Sequence, residues 1–482
     1  MEAHLTVLDL LERSAQSGPD RPVVVSPAGA TNYGQLLDAA RGIGGALLHA
    51  TMQPVVALFF PMSPEFVEAY FGTLYAGKQA LPLNLLLPPE ELLFILKDSG
   101  ADTIVCPAEL APRVQALGRK TLAVQDLAKG DVPADLPRPD PGDVCTLLYT
   151  SGTTGTPKGV ELTHRNIASN ADSGVEALGL RQDNRLLACL PSFHTFAITG
   201  TMLAPIACGG SFATLPKFEP ELVLKTASEQ KCDTLIMVPS MYRLLTRMQE
   251  RRPREMGHLR IAIAGGEALP ADVREHFQKV FGVPLFEGYG QTESSPIIAF
   301  NLPGANQPGT VGRPIPGVNV KIVDPETLQD TGGTGEIWVG GLGVMKGYHN
   351  RPEETARTIT PDGWLRTGDI GELTPEGYIR ITGRLREMVK VAGEMVFPAE
   401  VETALQTHPA VSEVGVRGLQ DEKKGEIVAA YVVLKDGQHA TEEDLLQHCR
   451  GVLAAYKVPR RIFFRTELPK GPTGKVVRRK LE

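Results

Sequence analysis

Thr146-Leu147-Leu148-Tyr149-Thr150-Ser151-Gly152-Thr153-Thr154-Gly155-Thr156-Pro157-Lys158-Gly159-Val160 is the stretch on which the reading of this chain turns. The apolar run that enters it from Val144 has the length and composition of a buried strand. It opens into seven residues of Ser, Gly and Thr, 150–156, followed by Pro157 and the single cation Lys158. Such a loop can wrap an oligophosphate: glycines let backbone N–H groups approach and point inward, hydroxyls add donors without bulk, and the lysine adds a compact positive charge. The GxxxxGK[ST] spacing of a Walker loop is absent, because the glycines fall at 152 and 155 and Lys158 is followed by Gly159. A flexible surface loop would share this composition, so the rest of the chain has to decide.

At 482 residues the chain exceeds one ordinary core, which implies two or more domains with an ample interior. A formal net charge of −7 argues against a general nucleic-acid or anionic-membrane binder. The 50 glycines and 38 prolines form no low-complexity tract and so belong to turns and loops. Cys106, Cys145, Cys189, Cys208, Cys232 and Cys449 contain no CxxC pair, and only the adjacent His448-Cys449 brings a histidine close. That pattern describes reduced, mostly buried thiols in a cytoplasmic protein. The N-terminal segment spaces its apolar residues as a helix does but is broken by Asp9, Glu12 and Arg13, which suits neither a signal peptide nor a membrane span.

Strand-like runs at 23–25, 55–60, 103–106 and 122–124 alternate with helix-like segments at 33–49, 64–76 and 88–98, the pattern of βαβ units and a mostly parallel sheet. Residues 131–142 hold four prolines and read as a surface connection. Thr163 is placed to cap a helix starting at His164. Leu190-Pro191-Ser192-Phe193-His194-Thr195-Phe196-Ala197 leads into a helix with small residues at Gly200, Ala204 and Ala207. A strand over 259–264 runs into Gly265-Gly266-Glu267-Ala268, and 284–287 runs into Gly288-Tyr289-Gly290-Gln291-Thr292-Glu293. The second motif joins a close-approach backbone, an aromatic plate, a hydroxyl and a carboxylate. Its simpler reading makes Glu293 a first-turn acid beside a helix dipole. Trp364-Leu365-Arg366-Thr367-Gly368-Asp369 precedes a hairpin-like stretch, 370–381, turning at Thr374-Pro375-Glu376-Gly377, and an aspartate after Thr-Gly is often only a turn former. From Arg386 the chain changes to a small α+β segment of about a hundred residues, with a helix from Pro398 to 407, strands near 411–416 and 427–434, and a helix over 441–455. Near the end, Leu468-Pro469-Lys470-Gly471-Pro472-Thr473-Gly474-Lys475 presents a lysine on a turn ahead of a basic run that by charge alone is a solvated face.

Together YTSGTTGTPKGV, GYGQTE, Thr367-Gly368-Asp369 and the terminal PTGK resemble the motifs of the adenylate-forming superfamily, which includes acyl-CoA synthetases, firefly luciferase and the adenylation domains of peptide synthetases. The resemblance covers nearly the whole chain. It implies an α/β protein with a large multi-sheet N-terminal domain for ATP and acid, residues 1–385, and a small mobile α+β C-terminal domain, residues 386–482, that carries the catalytic lysine. It also implies that Thr150, Ser151, Gly152, Thr153, Thr154, Gly155 and Lys158 surround the phosphates of ATP. Gly266, Glu267, Gly288, Tyr289 and Gly290 then enclose adenine, with Tyr289 stacked on it. Thr292 contacts phosphate and Glu293 holds Mg²⁺, a hard cation that takes oxygen ligands. Asp369 and Arg384 meet the ribose hydroxyls, a task that suits a two-oxygen acceptor. Lys475 bridges the substrate carboxylate and the α-phosphate, and Arg386 stands where relatives usually carry a hinge Lys or Asp. Lys390 and Gly393, with Ala392 and Glu394, line the pantetheine channel, where relatives often have Gly-Gly at the position of Ala392-Gly393.

His194, with Phe193, borders the acid pocket in this resemblance. Amino-acid-activating relatives carry an aspartate there for the substrate ammonium; a buried ammonium needs a countercharge, and His194 offers none, so an acid with a neutral tail is implied. LPSFHTFAITG, EGYGQTESSPIIAFN and VKVAGEMV resemble fatty acyl-CoA synthetases and the acyl-carrier-protein synthetases that share their chemistry. The expectation is an acid–thiol ligase that uses ATP, Mg²⁺ and coenzyme A to convert a medium- or long-chain fatty acid to acyl-AMP and then to acyl-CoA. An acyl carrier protein as thiol donor, or an aryl acid as substrate, are the alternatives within that chemistry. A luciferase-like oxygenase would share the motifs, and a non-catalytic nucleotide-binding regulator is disfavoured because Glu293, Asp369, Arg384 and Lys475 are all retained. The protein is expected to act in the cytoplasm as a monomer or homodimer, without nucleic acid, without a transmembrane segment and without a fused carrier domain after Glu482.

Overall fold

Apolar runs of four to seven residues, too short to form helices, become the parallel strands of two sheets. The computed structural model describes residues 5–127, 135–150, 157–391, 394–421, 425–469, 476 and 478–482. It is an α/β protein of several sheets in two compact units: Met1–Val320 with Val339–Arg366, and Lys321–Trp338 with Thr367–Glu482.

In the first unit, the larger sheet sets Leu285–Gly290, Ile261–Ala264, Thr234–Met237, Arg185–Ala188, Ser211–Thr214 and Pro22–Ser26 parallel in that spatial order. Antiparallel Ile297–Phe300 and Arg313–Pro314 extend one edge, and Gly29–Asn32 the other. The smaller sheet sets Val144–Thr150, Gln79–Pro82, Val55–Leu58, Thr103–Cys106 and Lys120–Ala123 parallel. It ends in antiparallel Lys158–Thr163 and the short Gly347–Tyr348. Val55–Leu58 and Thr103–Cys106 are buried throughout, as both-face helix cover of a parallel sheet requires. Their core includes Leu81, Leu92, Ile95, Leu96 and Leu147.

The helices begin where the sequence signals them. Asn32 and Gln35 form a capping box ahead of Tyr33–Ala50, and Ser63 caps Pro64–Tyr75 with proline in its first turn. Thr163 caps His164–Leu178 as expected, its Oγ1 accepting from Asn166 N–H at 3.1 Å. The first third of the chain does not make one sheet, however. Pro22–Ser26 joins the larger sheet, because its parallel partner is the distant Ser211–Thr214, while Val55–Leu58, Thr103–Cys106 and Lys120–Ala123 pair with one another in the smaller. Among the described residues no helix is long and apolar enough to cross a membrane. All six cysteines are free, and burial pushes the thiols of Cys189 and Cys232 up to about 12.

His164 ties the N-terminal helix Val7–Ser17 to His164–Leu178: its Nδ1 accepts from Val7 N–H at 3.3 Å, and its ring is buried. Burial pushes the imidazole down to about 4, against a partial opposing pull from Asp143 and Asp9. The unfolded chain therefore binds a proton that the folded chain refuses. The stability held above pH 6.5 is lost progressively as pH falls toward 4. The total is about 3 kcal/mol. His164→Asn keeps an acceptor for Val7 and cannot titrate, so urea unfolding at pH 7 and pH 5 is expected to show a smaller difference in the variant than in the wild type. An equal difference in both would assign the acid sensitivity elsewhere.

Val318–Val323, Gly335–Gly341, Leu365–Leu373 and Ile379–Arg384 form a four-stranded sheet, of which 321–323, 335–338, 367–373 and 379–384 belong to the second unit. Its last two strands are the expected hairpin, turning through Thr374–Gly377 with Gly377 N–H donating to the Thr374 carbonyl at 2.8 Å. After the turn Leu385–Glu387 come a second sheet, of Glu394–Val396, Val389–Val391, Gly425–Leu434, Val411–Asp421 and Arg461–Phe464, and the helices Pro398–Gln406 and Glu442–Val452. The expected division after residue 385 falls inside this unit, at that turn.

Candidate nucleotide and acid site

The strand Val144–Thr150 and its return Lys158–Thr163 place Thr150 opposite Lys158. Ser151, Gly152, Thr153, Thr154 and Gly155 lie outside the described residues. Lys158 is 17% exposed at its side chain and is ion-paired with Glu354, on the helix Pro352–Thr358. Its ammonium stands 5.4 Å from the centre of the Tyr348 ring. The Tyr348 hydroxyl donates to Glu293 Oε1 at 2.8 Å.

Strand Leu285–Gly290 runs parallel to Ile261–Ala264 and delivers the GYGQTE motif at its end. Gly288 and Gly290 are glycines for a reason the sequence does not disclose. A Cβ at Gly290 would collide with the carbonyl oxygen of Pro296, and one at Gly288 would lie 2.7 Å from the Phe300 ring. The close approach is thus to the neighbouring strand Ile297–Phe300. Thr292, Glu293 and Ser294 form a single 3₁₀ turn. Glu267 and Gly266 follow Ile261–Ala264, and Gly266 takes φ of +78°, open to glycine and strained for other residues. Glu287, ahead of Gly288, accepts from Leu269 N–H at 2.9 Å, and burial raises its carboxyl to about 7.

The segment 192–199 is stitched to this turn. Thr195 Oγ1 donates to Thr292 Oγ1 at 3.3 Å, Thr199 Oγ1 donates to the Ser295 carbonyl at 2.9 Å, and Ser192 Oγ donates to the Phe60 carbonyl at 2.6 Å. Phe196 lies so close to Gly265 that a Cβ there would meet its ring at 3.0 Å. From Phe196 to Leu203 the backbone winds as a π-helix, continuing as the α-helix Ala204–Ala207. Departures of this kind gather at functional sites. His194 is exposed while Thr195 beside it is buried. The protein around the ring still lowers its pKa by desolvation, the combination expected of a side chain that lines a cleft. Its protonated form is thereby disfavoured.

In the second unit, Asp369 and Arg384 are cross-strand partners, and Arg384 Nε donates to Asp369 Oδ1 at 3.0 Å. Asp369 is buried, whereas the Arg384 side chain is 53% exposed. The bend that turns Asp369 into place depends on Gly368 at φ +70°. Its N–H donates to Glu336 Oε1 at 3.0 Å, while Glu336 Oε2 accepts from Trp338 Nε1 at 2.8 Å. Lys390 is exposed on Val389–Val391 and pairs with Glu326 at 2.8 Å. Gly393, Ala392 and Lys475 lie outside the described residues. Beyond Lys475, Arg478 donates to both oxygens of Glu402, at 2.8 and 2.6 Å, and also to Glu387.

Sequence reasoning missed Tyr348, Glu354, Glu287 and Glu336. Glu336 carried a signal, being an acid in the otherwise apolar strand Gly335–Gly341.

The model of the AMP-binding enzyme family matches residues 11–349, and that of the AMP-binding enzyme C-terminal domain matches residues 400–475. The long-chain-fatty-acid–CoA ligase of Bacillus subtilis (strain 168) is 34% identical over 528 residues, covering 99% of this chain and 94% of the relative. A feruloyl-CoA synthase of Amycolatopsis sp is 34% identical over 475 residues, covering 97% of this chain and 96% of the relative. Among solved structures, the o-succinylbenzoate CoA synthetase (MenE) of Bacillus subtilis in complex with the acyl-adenylate intermediate OSB-AMP superposes with a TM-score of 0.86 at 29% identity, covering 98% of this chain and 97% of that one.

Proposed function

The chain belongs to the family of AMP-binding enzymes, and from that premise we propose that it is an acid–CoA ligase whose acid is a medium- or long-chain fatty acid. Like other adenylate-forming CoA ligases, it uses ATP, Mg²⁺ and CoA. A carboxylate oxygen attacks the α-phosphorus, the bond to the bridging oxygen of pyrophosphate breaks, and acyl-AMP remains. The CoA sulfur then gives up its proton and attacks the acyl carbon, and AMP leaves.

Both reactants of the first step are anions, so charge must be neutralised and the groups held in line. Lys158 and the loop 151–155 take the terminal phosphates, and Lys475 aims its ammonium at the charge developing between carboxylate and α-phosphate. Asp369 and Arg384 hold the ribose, and Tyr289 covers adenine between Gly288 and Gly266–Glu267. Glu293 suits a shared Mg²⁺: one of its oxygens accepts from a neutral phenol, and this ion is commonly bound by one or two carboxylates together with substrate phosphates. Among the described residues no cluster of three or more His, Cys, Asp or Glu could cage the ion without nucleotide. When bound, Mg²⁺ supplies charge neutralisation on the phosphates. For thioester formation, the segment from Arg386 onward turns about that residue, withdrawing Lys475 and bringing Lys390 and Gly393 to the pantetheine.

The observation that carries this reading is the pair of hydrogen bonds joining Thr195 to Thr292 and Thr199 to Ser295. They fix the wall bordered by His194 to the turn that bears Thr292 and Glu293, so an acid seated there presents its carboxylate to the phosphates. His194, whose protonated form desolvation disfavours, and the buried, mostly apolar run Ala197–Leu203 favour a tail without charge. An aryl acid is the second reading, supported by the equal identity to a feruloyl-CoA synthase. A panel of fatty and aryl acids assayed for AMP release, with CoA and with holo acyl carrier protein, separates these. AMP release with medium- or long-chain fatty acids and CoA is the expected result; release only with aryl acids, only with carrier protein, or with no acid at all would overturn it.

A further inference from the structure

We infer that Tyr348 is a positioning residue for the phosphate and metal side of this site, holding the Glu293 carboxylate through its hydroxyl and the Lys158 ammonium against its ring. The inference rests on the roles proposed above for Glu293 and Lys158.

Those two residues come from different sheets. Lys158 begins the return strand of the smaller sheet, and Glu293 follows the strand Leu285–Gly290 of the larger. A metal-bound triphosphate would need both at once, so something must keep them in register. The segment 345–348 does so from three directions. Its strand pairs with Lys158–Thr163 through Gly347 opposite Glu161 and Tyr348 opposite Val160. Met345 N–H donates to the Glu293 carbonyl at 2.9 Å, and the Tyr348 hydroxyl donates to the carboxylate of the same residue at 2.8 Å. Tyr348 N–H is in turn held by Thr355 Oγ1 at 2.9 Å.

The chemistry of a tyrosine suits both neighbours. A phenol orients a carboxylate without cancelling its charge, whereas a lysine or arginine would compete with the cation. A phenol, with its usual pKa of about 10, is a donor at neutral pH. The ring attracts an ammonium through its quadrupole at 5.4 Å and uses none of the three N–H donors of Lys158, which stay available to phosphate oxygens. Glu354 is the partner that those oxygens would displace.

The test is equilibrium binding of ATP, with and without Mg²⁺, by titration calorimetry, alongside melting temperatures. Tyr348→Phe keeps the ring and loses the hydroxyl. It is expected to melt as the wild type does, to bind Mg²⁺-free ATP as the wild type does, and to need about 10-fold more Mg²⁺ for half-maximal tightening. Tyr348→Leu loses the ring as well, and Mg²⁺-free ATP binding is expected to weaken by a further factor of about 5. A Tyr348→Phe protein with wild-type Mg²⁺ dependence would overturn the inference. So would a variant in which melting temperature and ATP affinity fall while acid KM rises with them, because that is the signature of a merely structural tyrosine. Should Tyr348→Leu fail to fold, Tyr348→Phe still decides. A wild-type protein that binds no ATP would overturn the reading of the site itself, which keeps the two failures apart.

Discussion

Replacing Lys475 by alanine is expected to slow acid-dependent ATP–pyrophosphate exchange by about 10²–10³-fold, the loss that follows removal of one preorganised charged donor from a developing anion. ATP affinity is expected to survive, because the phosphate, adenine and ribose contacts are assigned to other residues. The segment that follows the lysine is firmly held. Arg478 reaches Glu402 through two hydrogen bonds and also pairs with Glu387, and Val476 packs against Gly415. The substitution therefore removes a charge and leaves the contacts of Val476 and Arg478 untouched. An exchange rate equal to that of the wild type would withdraw Lys475 from the first step.

A second large effect is expected from Arg386→Pro, and it should fall on one half-reaction only. Arg386 is exposed in the turn Leu385–Glu387, between the strands Ile379–Arg384 and Val389–Val391. Proline fixes φ near −65°, inside the range of a 3₁₀ turn, and removes a backbone donor. If the residues for adenylation and those for thioester formation take turns at the site, stiffening this turn leaves acyl-AMP formation intact and reduces transfer to CoA by about 10-fold or more, as a gated step would. Single-turnover measurements on a variant with wild-type melting behaviour decide the matter. Equal slowing of both steps, or of neither, would remove the support for alternation about Arg386.

Much of the fold was legible because its signals are local. The cap at Thr163 and fully buried runs such as Val55–Leu58 need only a few neighbouring letters. The strand Gln79–Pro82 was missed although it lies at the centre of the smaller sheet. It is short, begins with a polar residue and ends in proline, and only its parallel neighbours reveal it. The division of early strands between two sheets was hidden for the same reason. At the candidate site, the Ser/Gly/Thr stretch 150–156, the GYGQTE motif and Asp369 stood out as compact groups of unusual composition. Tyr348 and Glu354 did not, because they meet Glu293 and Lys158 across long stretches of chain and look locally like a strand end and a helix acid.

Gly290 bears on how a motif should be read under selection. Any side chain at this position would run into the Pro296 carbonyl, so a population of variants kept only for remaining folded would already be purged of every alternative. Its invariance in such a population would carry no news of a nucleotide. Glu293, three positions on, owes its assigned task to turnover. Within one hexad some letters are dictated by the backbone and others by the reaction, and a pair of selections, one for folding and one for catalysis, would read them separately.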